Sequence, residues 1–89
     1  MFAKEPFPKT TELCNGLLKD LVDSVESINP FEQQKASEFV EMLSNRNCPI
    51  SLEWFYRNYS SHPSVFVQQI AIKAYENLEQ LRCYSLQLS

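Results

Sequence analysis

Apolar residues recur at intervals of three and four positions along most of the chain, the spacing that places them on one face of an α-helix. The first such stretch follows Thr10 and Thr11, either of which can cap free backbone amides, and Glu12 suits a first turn. A first helix is therefore predicted to start near Thr10 or Thr11. Its buried stripe is predicted to consist of Leu13, Leu17, Leu21, Val25 and Ile28, widened by Leu18 and Val22.

The start of a second helix is marked by the run Asn29-Pro30-Phe31-Glu32. Asparagine is a good N-cap, proline is preorganised for the first helical position, and glutamate can reach back to the cap amide. The connector-like run from Asn45 to Pro49 predicts that this helix ends at residues 44–46. Its core side is predicted to carry Phe31, Ala36, Phe39, Val40 and Leu43.

Residues 50–59 are rich in aromatic side chains, a composition that by itself favours a strand. We nevertheless predict a short helix here, because Ser51 can cap it and Glu53 lies early in it. A lone strand, in contrast, would leave its backbone hydrogen bonds unpaired.

The last helix is predicted to begin at Pro63 or Ser64, because proline suits the first helical position after the turn at residues 60–62. It is expected to continue into the early eighties or beyond, since no glycine or proline stops it, and Leu88 extends the pattern. Its apolar stripe is predicted to consist of Val67, Ile70, Ala71, Ala74, Leu78 and Leu81.

The length and turn chemistry of the chain limit its fold. The 89 residues are enough for one core but not for two. One glycine and five prolines provide few turns, so we predict an all-α fold of about four antiparallel helices, arranged as a HEAT-like repeat or a small bundle. Residues 1–9 are expected to form a flexible lead-in, and residues 10–89 a single helical domain.

The charge and hydropathy of the chain argue against two classes of ligand. The formal net charge is −3 and the Lys and Arg residues are not clustered, so direct nucleic-acid binding is not expected. No run of about 18 apolar residues could span a bilayer, and the first residues lack the apolar segment of a signal peptide. We therefore expect an intracellular protein, cytoplasmic or nuclear, with no membrane contact.

Residues that could carry catalysis or bind metal are few and scattered. The single histidine, His62, lies in a turn beside two serines, where the geometry of a catalytic triad is seldom formed. Cys14, Cys48 and Cys83 lack the close paired spacing of a zinc site and are interpreted as reduced, buried thiols. The sequence thus predicts no enzyme, no metal and no cofactor.

Four neighbouring aromatic residues of the third segment leave two interpretations open. Aromatic rings dominate both protein cores and binding hot spots. One short helix cannot bury four such rings on a single face, so some of them fill the core or form a partly exposed contact surface. The residues are Trp54, Phe55, Tyr56 and Tyr59, of which Trp54, Tyr56 and Tyr59 are the candidates for partner binding.

From Pro30 onward, the order of helices and turns resembles the N-terminal repeats of the karyopherin-β nuclear transport receptors. Residues 34–43 resemble the first inward helix of that family, and residues 61–78 resemble its next repeat. Within the family the chain is most similar to exportins of the tRNA and pre-microRNA type. Their Leu-Cys-x-x-Leu helix and Cys-Pro-Ile connector correspond to residues 13–17 and 48–50.

This resemblance implies a protein-protein interaction module of nucleocytoplasmic transport that binds the GTP-bound form of the small GTPase Ran. The alternative is a self-contained helical adaptor or regulator that binds an unrelated protein through the aromatic surface. Because a repeat end without a polar cap exposes an apolar face, a homodimer through such a face is a further expectation. By resemblance, the binding surface is the polar face of the last helix: Gln68, Gln69, Lys73, Glu76 and Asn77.

Overall fold

The computed structural model describes the backbone of residues 6–88 and the side chains of residues 6–83, and over this range it contains helices and turns but no strand. The predicted all-α fold is therefore confirmed. The first five residues of the predicted lead-in, Ser89 and the side chain of Leu88 lie outside the described part. The helices are α1 (Glu12–Glu26), α2 (Pro30–Gln34), α3 (Ala36–Asn45), α4 (Pro49–Tyr59) and α5 (Val65–Leu88).

Helix α1 begins as predicted and ends earlier than predicted. Thr11 is its N-cap, and the Oγ1 atom accepts a hydrogen bond of 3.2 Å from the backbone N–H of Cys14. The helix ends at Glu26, with Ser27 as its C-cap. Ile28 lies beyond this end and is 98% exposed, so its predicted place in the buried stripe is wrong.

The predicted second helix is divided into α2 and α3 by a turn at Lys35. The backbone N–H of Lys35 donates to a carbonyl three residues earlier, which tightens the helix at this point. Asn29 caps α2 as predicted, and the Gln33 side chain donates a 2.7 Å hydrogen bond to the carbonyl of Ser27. None of the residues of α2 is buried, and Phe31 is 75% exposed, so its predicted core position is wrong.

Helix α3 ends in a Schellman motif that delivers the chain to the start of α4. The backbone N–H of Cys48 donates to the carbonyl of Leu43 at 2.9 Å, and that of Asn47 donates to the carbonyl of Ser44 at 3.0 Å. Asn47 has a φ of 56°, a left-handed conformation that asparagine tolerates better than most residues. Pro49 can therefore begin the next helix at once.

The ambiguous third segment is helix α4, so the helical prediction for residues 50–59 is confirmed. Its N-cap is Cys48, and Pro49 takes the first helical position. Ser51 is therefore the third residue of the helix and is fully buried. The prediction that Ser51 caps this helix is wrong, since the proline starts it earlier.

Helix α5 is capped by Ser64. The Ser64 carbonyl accepts a hydrogen bond from the backbone N–H of Gln68 at 3.0 Å, and its Oγ accepts one from Val67 at 3.5 Å. Pro63 thus precedes the cap instead of occupying the first helical position, which belongs to Val65. The long final helix itself is confirmed.

The helices pack as two pairs that enclose one core. Helix α1 lies against α3, and α4 lies against α5. The two pairs are stacked so that α3 contacts α5 while α1 contacts α4. Each long helix turns its apolar stripe towards this shared centre. The buried apolar residues are Leu18, Leu21, Val22, Val25, Ala36, Val40, Leu43, Cys48, Leu52, Trp54, Phe55, Tyr59, Val67, Ile70, Ala71, Ala74 and Leu78.

Candidate protein-binding surfaces

The aromatic residues of α4 belong mainly to the core. Trp54 is 4% exposed and Tyr59 is 0% exposed. The indole Nε1 of Trp54 donates a hydrogen bond of 2.9 Å to the carbonyl of Pro6, and the ring of Phe7 meets the indole edge-on with 5.0 Å between centroids. The described end of the lead-in thus covers Trp54. Of the two interpretations left open by the sequence, Trp54 and Tyr59 thus follow the core interpretation and offer no ring surface to a partner.

Tyr59 and Tyr56 have different surroundings. Tyr59 stacks on Phe55 at 4.6 Å, and its hydroxyl donates a hydrogen bond of 3.2 Å to Oε1 of Glu26 at the end of α1. Tyr56 is half-buried and stacks on Tyr75 of α5 at 4.7 Å. Of the three aromatic candidates, Tyr56 alone offers ring surface to a partner.

Four of the five candidate residues of α5 lie on one face of the helix. Gln69, Lys73, Glu76 and Asn77 follow each other at intervals of four, three and one positions, which brings them together at the surface. Gln69 and Glu76 are exposed, and the other two are partly exposed. Gln68 lies apart from them, because its Nε2 atom donates a 2.6 Å hydrogen bond to a carbonyl of the turn before α5.

A glutamate of α3 joins this face. Oε1 of Glu41 lies 2.8 Å from Nζ of Lys73 and accepts a 3.3 Å hydrogen bond from Nδ2 of Asn77. These contacts hold the pKa of the Glu41 carboxyl below its usual range, first through the hydrogen bond from Lys73 and then through that from Asn77. We call Glu41, Gln69, Lys73, Glu76 and Asn77 the α3–α5 surface. No signal in the sequence marked Glu41, because it is spaced like the other exposed acidic residues of α3.

An open groove with a volume of about 440 Å³ runs between α1 and α3, and we call it the α1–α3 groove. Leu13 is 51% exposed and Met42 is 42% exposed along it. The predicted burial of Leu13 is wrong, because this residue lies in the first turn of α1, beside the end of α3. Arg46 forms no ion pair with any residue that the structure describes. The lining residues are Leu13, Leu17, Met42, Asn45 and Arg46.

A disulfide joins Cys14 of α1 to Cys48, with 5.9 Å between their Cα atoms. The interpretation of the cysteines as reduced, buried thiols is thus wrong, since two are bonded and Cys83 is exposed. The pair lies 34 positions apart in the sequence, so spacing alone does not reveal it; the turn after α3 brings the two cysteines together. A hollow of about 230 Å³ beside the disulfide is lined by Lys9, Thr10, Thr11, Cys14, Asn47, Cys48, Pro49 and Ile50.

Within the described residues, no group of three or more His, Cys, Asp and Glu side chains is placed to hold a metal ion. No helix of the same part combines the length and the apolar character needed to cross a membrane. No protein-family model, no curated protein and no solved structure matches the chain. Its function is therefore inferred from the surfaces described above and from the sequence resemblance.

Proposed function

We propose that this chain is a protein-binding module of nucleocytoplasmic transport that presents the α3–α5 surface to the GTP-bound form of Ran. The observation that carries the proposal is the arrangement of the helices. Helices α1 and α3 form one pair, α4 and α5 form a second, and the later helix of each pair lies beside that of the other. The resemblance to karyopherin-β repeats implies such stacking, with the second helix of each repeat facing the partner.

The chemistry of the α3–α5 surface suits a polar protein partner. Gln69 and Asn77 can each donate and accept hydrogen bonds, and Glu76 is an exposed acceptor. The contacts with Glu41 order the side chains of Lys73 and Asn77 before any partner binds. Such ordering lowers the entropy that binding would otherwise lose.

The alternative function, an adaptor that binds an unrelated protein through an aromatic surface, has less support. Trp54 and Tyr59 are buried, which leaves Tyr56 as the accessible ring. A homodimer would need a contiguous apolar surface, for which the exposed side chains of Ile28 and Phe31 are the described candidates. Neither of these two functions gains the support that the paired helices give to the transport module.

The test is retention by immobilised Ran loaded with GTP or with GDP. We expect the GTP form to retain the chain and the GDP form not to retain it. The double substitution Lys73→Glu with Glu76→Lys leaves the net charge unchanged while exchanging the charges at two positions of the α3–α5 surface and removing the Glu41–Lys73 pair, and it should abolish the retention.

The matched control is Lys19→Glu with Asp20→Lys, a similar exchange at two exposed positions of α1. It should bind as the unchanged chain does. Equal retention by both nucleotide forms, or retention by neither, would contradict the assignment to Ran. Loss of binding in both double variants would contradict the assignment to this surface.

A further inference from the structure

The Cys14–Cys48 disulfide lies where two helices begin. Cys14 is the third residue of α1, and Cys48 is the N-cap of α4. The N-terminus of a helix carries a partial positive charge, which stabilises a thiolate next to it. Whichever sulfur leaves during a thiol–disulfide exchange would therefore leave into a favourable environment.

The hollow beside the disulfide gives an external thiol access to one sulfur more than to the other. Cys14 is partly exposed, whereas Cys48 is 3% exposed. Lys9 lines the same hollow and forms no ion pair with the described residues. A small anionic thiol is thus attracted to the side from which Cys14 can be attacked.

The surroundings of Cys48 also suit its reduced form. The Sγ atom lies 3.7 Å from the carbonyl oxygen of Arg46, which a thiol S–H can use as an acceptor. Ser51 occupies the third helical position, which lies next to the N-cap side chain in capped helices. Its buried hydroxyl has no hydrogen-bond partner among the described residues. Reduction of the disulfide would add a thiol, a weak donor and acceptor, at the same helix start.

We propose that Cys14 and Cys48 form a reversible thiol–disulfide site that reacts with small thiols of the glutathione class. The thiolate of one glutathione attacks Sγ of Cys14, the sulfur–sulfur bond breaks, and Cys48 leaves as a thiolate that takes up a proton. A second glutathione thiolate attacks the glutathione sulfur of the mixed disulfide, and Cys14 leaves and is protonated. The two electrons that reduce the pair come from the two glutathiones, which end as glutathione disulfide.

The state of this pair controls how firmly the start of α1 is held against the turn after α3. Both cysteines line the hollow together with Lys9, Thr10 and Thr11, the residues that lead into α1. When the bond is broken, the lead-in keeps the hydrogen bond between Trp54 and Pro6, but the start of α1 loses its covalent link to Cys48. The peptide bond after Lys9 should then open more readily to a protease.

The test uses the full chain with the substitution Cys83→Ser, which removes the exposed third thiol. The protein is equilibrated in buffers of graded ratios of reduced to oxidised glutathione, alkylated, and weighed by mass spectrometry. The disulfide fraction should change gradually across the series. In single variants, glutathione should attach to Cys14 in Cys48→Ser several-fold faster than to Cys48 in Cys14→Ser. A pair that stays wholly oxidised or wholly reduced, or faster attachment to Cys48, would overturn the proposal.

Trypsin provides the structural measurement. Cleavage after Lys9 should be several-fold faster in the reduced chain than in the oxidised one, while cleavage after Lys19, within α1, should change less. The double variant Cys14→Ser with Cys48→Ser should match the reduced chain under both conditions. Equal cleavage after Lys9 in both states would refute the proposed control of the α1 start.

Discussion

Outside the shared core, the two sides of helix α3 are held to their neighbours by different kinds of interaction. On the side of α5, Glu41 contacts Lys73 and Asn77 through polar atoms that water can reach. On the side of α1, apolar side chains border a groove, and a disulfide ties the start of α1 to the turn that follows α3. Exposed ion pairs contribute about 0.2–1 kcal/mol, whereas a disulfide typically contributes about 2–4 kcal/mol.

This difference separates stability from recognition. The disulfide and the partly buried residues of the α1 side contribute strongly to stability, so these positions are expected to tolerate little change. The exposed polar contacts on the α5 side contribute little to stability, so these surface residues can be selected for a partner without loss of the fold. Substitutions on the two sides should therefore have very different effects on the free energy of unfolding.

The largest effect is expected from the disulfide. The double variant Cys14→Ser with Cys48→Ser should lose about 2–4 kcal/mol of unfolding free energy relative to the oxidised chain, because its unfolded state is no longer restricted by the cross-link. Urea unfolding followed by Trp54 fluorescence measures this loss. The control Cys83→Ser changes an exposed thiol and should stay within about 0.5 kcal/mol of the parent. Equal stability of the double variant and the oxidised chain would contradict the covalent contribution.

A smaller effect is expected from the apolar contact between α1 and α3. Leu17 is partly buried against the core, so Leu17→Ala should lose about 1–2 kcal/mol, less than the 2–5 kcal/mol or so typical of fully buried leucines. The same urea titration measures it. Leu13→Ala, at a position 51% exposed in the same groove, is the matched control and should change stability by less than about 0.5 kcal/mol. Similar losses in both variants would contradict the expectation that the loss of unfolding free energy on this side depends on how deeply each leucine is buried.

The elements of the fold could be predicted from the sequence where periodicity and caps agree. Thr11 and Asn29 cap the helices that they were expected to cap, and the aromatic third segment is helical. The exposure of Ile28 and Phe31 could not be predicted, because the helix end at Glu26 and the separate short helix α2 decide it. Both features depend on local hydrogen bonds that a pattern of apolar residues does not contain.

The candidate sites could be predicted only in part. The family resemblance implied a polar face of Gln68, Gln69, Lys73, Glu76 and Asn77. The last four share one side of α5, whereas Gln68 turns to the preceding loop. The partner of this face, Glu41, comes from another helix and could not be found in the same way. The burial of Trp54 by the lead-in and the pairing of Cys14 with Cys48 likewise depend on contacts between distant parts of the chain.

The smallest effect is expected on the α5 side, from Glu41→Gln. At neutral pH the variant should lose no more than about 1 kcal/mol, because the Glu41 side chain is 52% exposed and its ion pair is screened. The pKa of Glu41 is lower in the folded chain than in the unfolded one, so its contribution is fully present above the unfolded pKa. It is lost as the pH falls through the folded pKa.

The difference between the parent and Glu41→Gln should therefore be present at neutral pH and vanish in acid, and added salt should also reduce it. Urea titrations at several pH values measure it, with Glu38→Gln as the control, since Glu38 is an exposed acid of the same helix. A loss above about 2 kcal/mol, or one that persists in acid, would mean that the α5 side contributes to stability as the α1 side does. The α3–α5 surface would then not be free to vary for a partner, and the contrast between the two sides of α3 would be lost.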